Sequence, residues 1–275
     1  MSRRGRRLVA TPVTGVLVAT SRREHTTSTV IVAGREPGGQ AGGGPAGQSP
    51  ALLIDPAWEP DELAGLAAEL AALGLCPVAG LATHAHYDHL LWHPDFGAPP
   101  RWASAATALQ ARAGRAAGLA ALGPAWPDQL AGLYGAVEAV PGTEKSGAAM
   151  LPWDGPAVQL LVHNAHVRGH TAAWLPDRGV LIAGDMLSDV ELPLPDEGPG
   201  ALAAYAAGLD ALAPFARRAA LVIPGHGSPT AGGAARLDAD RRYLDAVTSR
   251  APVEDPRLDL PGMTQVHAAT LATRG

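Results

Sequence analysis

Apolar residues fall in short bursts along this chain, and the spacing within each burst changes from two to about 3.6 and back. β-Branched runs bounded by turn formers predict strands over residues 13–20, 29–33 and 51–55. Between the last two, residues 34–50 are almost all Gly, Pro, Ala and Gln. That composition cannot bury enough surface to order itself, so a flexible loop is expected there. Pro60 and Asp61 then open a helix, Leu63, Leu66, Leu70 and Leu73 recur on one face, and Gly74 stops it. A buried strand over 78–83 runs into a cluster of histidines.

The middle of the chain is different. Residues 94–156 are rich in alanine and predict two helices, near 104–122 and 128–137, cut by Pro and Gly. Four of the six tryptophans lie between Trp92 and Trp153, which suggests a helical insertion over a site, with an apolar ligand beneath it. Strand periodicity returns over 158–163, 180–183 and 220–223. Helices are expected near 201–212, with Leu202, Tyr205, Leu209 and Leu212 on one face, and near 235–248. Strand-rich halves followed by helices predict an α/β domain of sheets covered by helices, a single domain over 1–275 with residues 1–10 frayed.

Composition narrows the function. The chain has 275 residues, a net charge of −5 and one lysine, Lys145, so a nucleic-acid partner is not expected. A single cysteine, Cys76, excludes an internal disulfide framework and a Cys-rich zinc site. No run approaches the roughly 20 apolar residues of a membrane span. Arg3, Arg4, Arg6 and Arg7 before the apolar stretch 8–20 have the order of an export signal, but Pro12, Thr14 and Gly15 interrupt it. The expectation is a cytoplasmic protein acting on a small molecule, with no membrane partner and an oligomeric state left open.

The chemistry is concentrated at strand ends. Thr83-His84-Ala85-His86-Tyr87-Asp88-His89 puts three imidazoles and a carboxylate directly after a strand. Alternate positions in an extended segment share a face, which pairs His84 with His86. Imidazole and carboxylate together suit zinc or iron where no thiolate is offered. Gly169-His170-Thr171, Gly184-Asp185 and Pro224-Gly225-His226-Gly227 each add one metal-capable residue beside glycine at or near the end of an apolar strand. No Ser-His-Asp triad or glycine-rich phosphate loop competes with them.

In this order the motifs resemble the metallo-β-lactamase-fold hydrolase superfamily. The resemblance implies a four-layer αββα sandwich with a dinuclear site at one edge, holding two Zn2+, or iron or manganese. By position, His84, His86 and His170 would hold one ion, Asp88, His89 and His226 the other, and Asp185 would bridge them. Asp88 would also orient a water made nucleophilic between the ions and pass on a proton. Asp55 would support an imidazole without touching metal, as would His163 and His166. Trp92 and His93 are candidates for the pocket wall, and Tyr87 and Ser188 for substrate contacts, while His25 and His267 receive no role.

The same resemblance sorts the substrates. Asp185 together with His89 differs from class B β-lactamases, which place Cys or no ligand at that position. Glyoxalase II-like thioesterases need cationic residues to grip glutathione, and none can be placed here. Quorum-quenching lactonases carry a Tyr shortly after the bridging Asp, where this chain has Asp185-Met186-Leu187-Ser188. What remains is hydrolysis of an ester, lactone or thioester of a mostly apolar small molecule. The alternatives are a phosphodiesterase, a β-lactamase and a non-catalytic metal-binding module.

Overall fold

Two-residue alternation in the strands decides which side chains lie between the sheets. In the computed structural model, which describes residues 8–34 and 47–273, the first sheet has seven strands. These are β1 (Val9–Ala10), β2 (Val16–Thr20), β3 (Thr27–Val32), β4 (Ser49–Ile54), β5 (Leu75–Leu81), β6 (Arg101–Ala103) and β7 (Glu138–Ala139), side by side in chain order. The first four are antiparallel neighbours, and β4 through β7 run parallel. The second sheet has β8 (Gly147–Met150), β9 (Gln159–His163), β10 (His170–Leu175), β11 (Val180–Gly184) and β12 (Leu221–Pro224), antiparallel except for the β11–β12 pair.

Val16, Val18, Ile31, Leu52 and Ile54 of the first sheet pack against Leu160, Ala173, Leu175, Val180 and Ile182 of the second. The intervening residues face outward onto helices, as a period of two requires. Val30, Ala51 and Leu53 meet α1 (Pro60–Ala72), α2 (Ala105–Ala113), α3 (Arg115–Leu122) and α4 (Asp128–Ala131). Ala172, Trp174, Leu181 and Val222 meet α5 (Ala201–Ala216), α6 (Gly233–Ser249) and α7 (Met263–Ala272). The layers are therefore helix, sheet, sheet, helix, the expected αββα sandwich. Among the described residues, no helix is long and apolar enough to cross a membrane.

Several local expectations change. Residues 1–7 and 35–46, and so most of the expected flexible loop, lie outside the described residues, while Ser49 and Pro50 belong to β4 and Val9–Ala10 pair with β2. Leu73 caps α1 and is exposed rather than packed. The helix expected over 104–122 is two, because Gly114 both ends α2 and begins α3. Segment 94–156 is not simply a helical insertion. It adds β6 and β7 to one sheet and β8 to the other. Its tryptophans Trp102, Trp126 and Trp153 pack onto the cores, so they serve the sandwich rather than a ligand.

Candidate metal centre

The loop after β5 carries the histidine-rich motif, and buried hydrogen bonds fix its shape. Asp55, at the end of β4, accepts hydrogen bonds from the Thr83 backbone N–H (2.8 Å) and the Thr83 hydroxyl (2.7 Å). Because that hydroxyl donates to Asp55, it accepts from His84 Nδ1 (3.0 Å). Asp55 also accepts from His89 Nδ1 (3.0 Å). One carboxylate thus sets two imidazoles, one directly and one through Thr83, and turns both Nε2 atoms inward. Asp55 has a φ of +48°, a conformation Asp tolerates better than most residues. Asp55→Ala is expected to weaken metal binding by about 10–100-fold, read by competition titration against a chromophoric chelator.

The same device recurs across the seam between the sheets. His166 Nδ1 donates to the Leu194 carbonyl (2.8 Å), and its Nε2 faces His86 Nδ1 at 3.0 Å. His226 Nδ1 donates to the Glu24 carbonyl (2.8 Å), and its Nε2 lies 3.4 Å from both Asp88 and Asp185. Four imidazoles are therefore locked from behind and present Nε2 to a common space. Asp185 stands among them, with carboxylate oxygens 3.2 Å from His84, 3.2 Å from His89 and 3.5 Å from His166.

Two glycines permit this convergence. Gly184 follows a bulge in the β11–β12 pair and has a φ of +57°. A Cβ there would sit 2.4 Å from His170 Nε2. The Gly225 backbone passes over Asp185, where a Cβ would meet its Oδ1 at 2.0 Å. Only glycine fits such approaches. Gly225 also ties the halves together, donating to the Gly184 carbonyl (2.6 Å) and accepting from Thr27 N–H (2.7 Å).

Ligand atoms of His84, His86, His166 and Asp185 lie within 4.8 Å of one another, as do those of Asp88, His89 and His226. The structure thus brings six of the seven expected ligands together and leaves the seventh, His170, outside both groups. His170 is the first residue of β10, its Nε2 accepts the Asp185 backbone N–H (3.1 Å), and its Nδ1 lies 3.4 Å from His163 Nε2. Both ring nitrogens are engaged, so His170 holds the backbone that carries Asp185. His166, in the turn before β10, rather than His170, has a ring nitrogen within 4.8 Å of ligand atoms of His84, His86 and Asp185.

A further residue escapes the sequence reading. Glu191 forms a third group with Asp185 and His226, its Oε1 3.6 Å from His226 Nδ1. The only hint is an acid in the apolar stretch after Asp185. The loop bearing it is pinned from below by buried Arg257, which donates to the Ser188 and Glu191 carbonyls and to Asp240, while Asp240 accepts the Leu187 N–H. Ser188 donates to the His226 carbonyl (2.8 Å) and shapes this loop. Trp92 is buried against Arg101, and His93 accepts from Asp95 N–H at the start of a 3-10 turn. Tyr87 packs edge-on to Trp58, and His267 pairs with the Tyr243 hydroxyl.

Electrostatics shows what the site is built to receive. Burial pushes His84 well below its ordinary pKa, and burial with His166 nearby takes His86 down to about 4, so both imidazoles are neutral at pH 7. His89 and His226 behave oppositely. Burial works against their charge, yet Asp185 and Asp88 hold His89 well above normal and carry His226 up to about 10. Burial likewise opposes ionisation of Asp88 and Asp185, but the imidazoles around them keep both carboxyls below the usual range. Burial, with Asp185 and Asp88 adding to it, raises Glu191 to about 7 against the pull of His226. In the absence of a cation, protons on His89 and His226 balance the two carboxylates. His84 Nε2 and Asp185 Oδ1 are buried without a well-aligned hydrogen bond, each having only an ion-pair contact at 3.2 Å. Buried orphan atoms of this kind call for an ion. The donors therefore fit divalent metal, with His84, His86, His166 and Asp185 on one side and Asp88, His89, His226 and Asp185 on the other.

Beside the site lies a cavity of about 750 Å3. His86 and His166 form its inner end, and its walls come from residues 194–199 and from α7. Segment 94–156, expected to cover the site, contributes none of the lining residues.

The profile of the metallo-beta-lactamase superfamily matches residues 46–226. No curated protein matches the chain. Among solved structures, a beta-lactamase domain protein from Burkholderia ambifaria superposes with a TM-score of 0.65 at 16% identity, over 96% of this chain and 86% of that one. A metallo-beta-lactamase family protein from Thermus thermophilus gives 0.59 at 20% identity, over 98% and 91%. The inverting sec-alkylsulfatase Pisa1 from Pseudomonas sp. gives 0.60 at 16% identity, over 87% and 42%. At such identities these structures share the fold. With the profile match over most of its length, the chain belongs to the metallo-β-lactamase superfamily, whose members are generally metal-dependent hydrolases.

Proposed function

We propose that this protein is a dinuclear metal-dependent hydrolase, zinc being the first metal to test, that cleaves an ester, lactone or thioester of a mostly apolar small molecule. The observation that carries the reading is the set of four imidazoles whose Nδ1 atoms are all occupied from behind, facing two buried carboxylates. Such pre-setting is wasted on a solvated histidine cluster, and it is what a metal site needs. A structural zinc site is closed and four-coordinate, whereas this one has more donors than one ion uses and opens on a cavity.

When bound, the metal pair would supply the positive charge that polarises a carbonyl and makes water nucleophilic near neutral pH. The protein's own groups do the rest. Asp185 would hold the two positions together. Asp88, within reach of the Thr26 hydroxyl (3.3 Å) and the nitrogens of His89 and His226, would orient the attacking water and carry its proton to the leaving group. The Leu194 carbonyl would keep His166 in its liganding tautomer while the neighbouring residues receive the substrate.

The purified protein loaded with zinc should contain about two ions per chain by mass spectrometry and should hydrolyse p-nitrophenyl esters or lactones. One tightly held ion with no turnover would favour a structural site. Indifference to esters, lactones and thioesters combined with rapid cleavage of bis(p-nitrophenyl) phosphate would replace this reading with a phosphodiesterase.

A further inference from the structure

We propose that the cavity beside His86 and His166 is the acyl subsite of this enzyme, that it takes an elongated uncharged acyl chain and disfavours an anionic one, and that Ala269 on α7 sets the bulk it admits. This rests on the hydrolase reading above. At about 750 Å3 the cavity falls within the range of roughly 300–1,000 Å3 usual for small-molecule sites. Its inner end is two of the metal-group imidazoles, so a carbonyl held at the centre would direct one of its substituents outward along it.

The far wall is α7. Ala269, Ala272 and Thr273 line the cavity at spacings of three and four, one helix face made of small side chains. The flank of α7, roughly 100° round the helix from that face, is anchored. Met263 and Thr270 are buried, Thr270 Oγ1 donates to the Pro193 carbonyl (3.1 Å), and the Leu192 N–H points at Met263 sulfur (3.2 Å). The wall is therefore held in place through the same stretch whose Leu194 carbonyl orients His166. It cannot simply retreat from a larger side chain at 269.

Charge defines the ligand further. Among the described residues the cavity lining carries Asp196 and Glu197 and no lysine or arginine. A carboxylate, phosphate or sulfate at the far end of a substrate would meet like charge with no cation to receive it, while a neutral chain would meet Val167, Leu194 and Pro195. Helix α7 lies beyond the residues 46–226 that match the superfamily profile, so this wall belongs to the part of the chain that the family does not define.

The test compares kcat/KM for p-nitrophenyl acetate, p-nitrophenyl octanoate and the octanoate analogue bearing a terminal carboxylate. Zinc-loaded wild type and Ala269→Phe are used, with metal content and melting temperature measured for each. Binding of octanamide to the metal-free proteins is followed in parallel by ligand-observed NMR. The octanoate-to-acetate ratio should fall about tenfold or more in Ala269→Phe, and octanamide should bind wild type more tightly than the variant. The terminal carboxylate should cost wild type about tenfold, and Asp196→Asn should recover part of it. An unchanged octanoate-to-acetate ratio in a variant that keeps its metal and its melting temperature would overturn the assignment of the cavity. Should wild type hydrolyse none of the esters, the hydrolase reading fails, and octanamide binding alone decides whether the cavity takes acyl chains. Should Ala269→Phe fail to fold, Ala272→Leu is substituted and judged by the same ratio.

Discussion

Asp185→Ala is expected to abolish measurable turnover and to reduce the metal content from about two ions per chain to about one or fewer. Asp185 faces donors of both halves of the cluster. Its oxygens stand 3.2–3.5 Å from His84, His89, His166 and His226, which come from the two sheets and from both metal groups. Removing a preorganised charged group from such a centre costs on the order of 100–1,000-fold even when the remaining geometry survives. Here the position of the second ion is lost as well. The substitution also has a signature independent of activity. Asp185 is the leading charge holding His89 and His226 protonated in the metal-free protein, so in the variant both imidazoles should lose their protons at lower pH. Their titration by NMR, beside metal analysis by mass spectrometry, checks the point. Full activity or unshifted imidazoles in the variant would remove Asp185 from the centre.

The second large effect separates two histidines four residues apart. His166→Ala should cost about 100-fold or more in metal affinity, because it deletes a nitrogen whose partner nitrogen is already bound to Leu194. His170→Ala should leave metal stoichiometry intact and instead lower the melting temperature. It leaves the Asp185 backbone N–H without its acceptor inside the protein, a loss worth about 1–3 kcal/mol. Metal titration and thermal unfolding of the two variants should give opposite patterns. Equal loss of metal in both would mean that His170 is a ligand after all.

That pair marks the point where residue patterns stop being informative. Strands β3, β4 and β11 are legible to within a few residues, because each holds a run of Val, Ile or Leu bounded by turn formers. Strand β10 is not, since His-Thr-Ala-Ala-Trp-Leu opens on two polar residues and carries no Val or Ile to mark it, although all six are buried. Helix α7 has only two buried residues and gives no stripe to read. The motif His84-x-His86-x-Asp88-His89 can be recognised because close spacing alone brings its side chains together. His166 and His170 cannot be told apart by residue type, for imidazole serves equally as a ligand and as a buried hydrogen-bond acceptor. The difference lies in position: His166 sits in a turn that faces the cluster, whereas His170 starts a strand and looks inward at a backbone. Glu191 is hidden for a similar reason. Its loop is held against the site by residues distant in sequence, among them Arg257, 66 residues away.

The way the donors divide between the sheets has a consequence of its own. Residues 84–89 hang from the first sheet, while His166, Asp185 and His226 hang from the second, and between them stand imidazoles and carboxylates whose charge, without a cation, is balanced by the protons on His89 and His226. A metal pair would then act as solder along the open edge of the sandwich. The two slabs are joined by oil through most of their thickness, and at this rim the ions would stand beside the Thr27–Gly225 and Thr171–Thr83 backbone hydrogen bonds, so drawing off the ions would loosen the lips of the cleft while those bonds and the core keep the body of the protein closed.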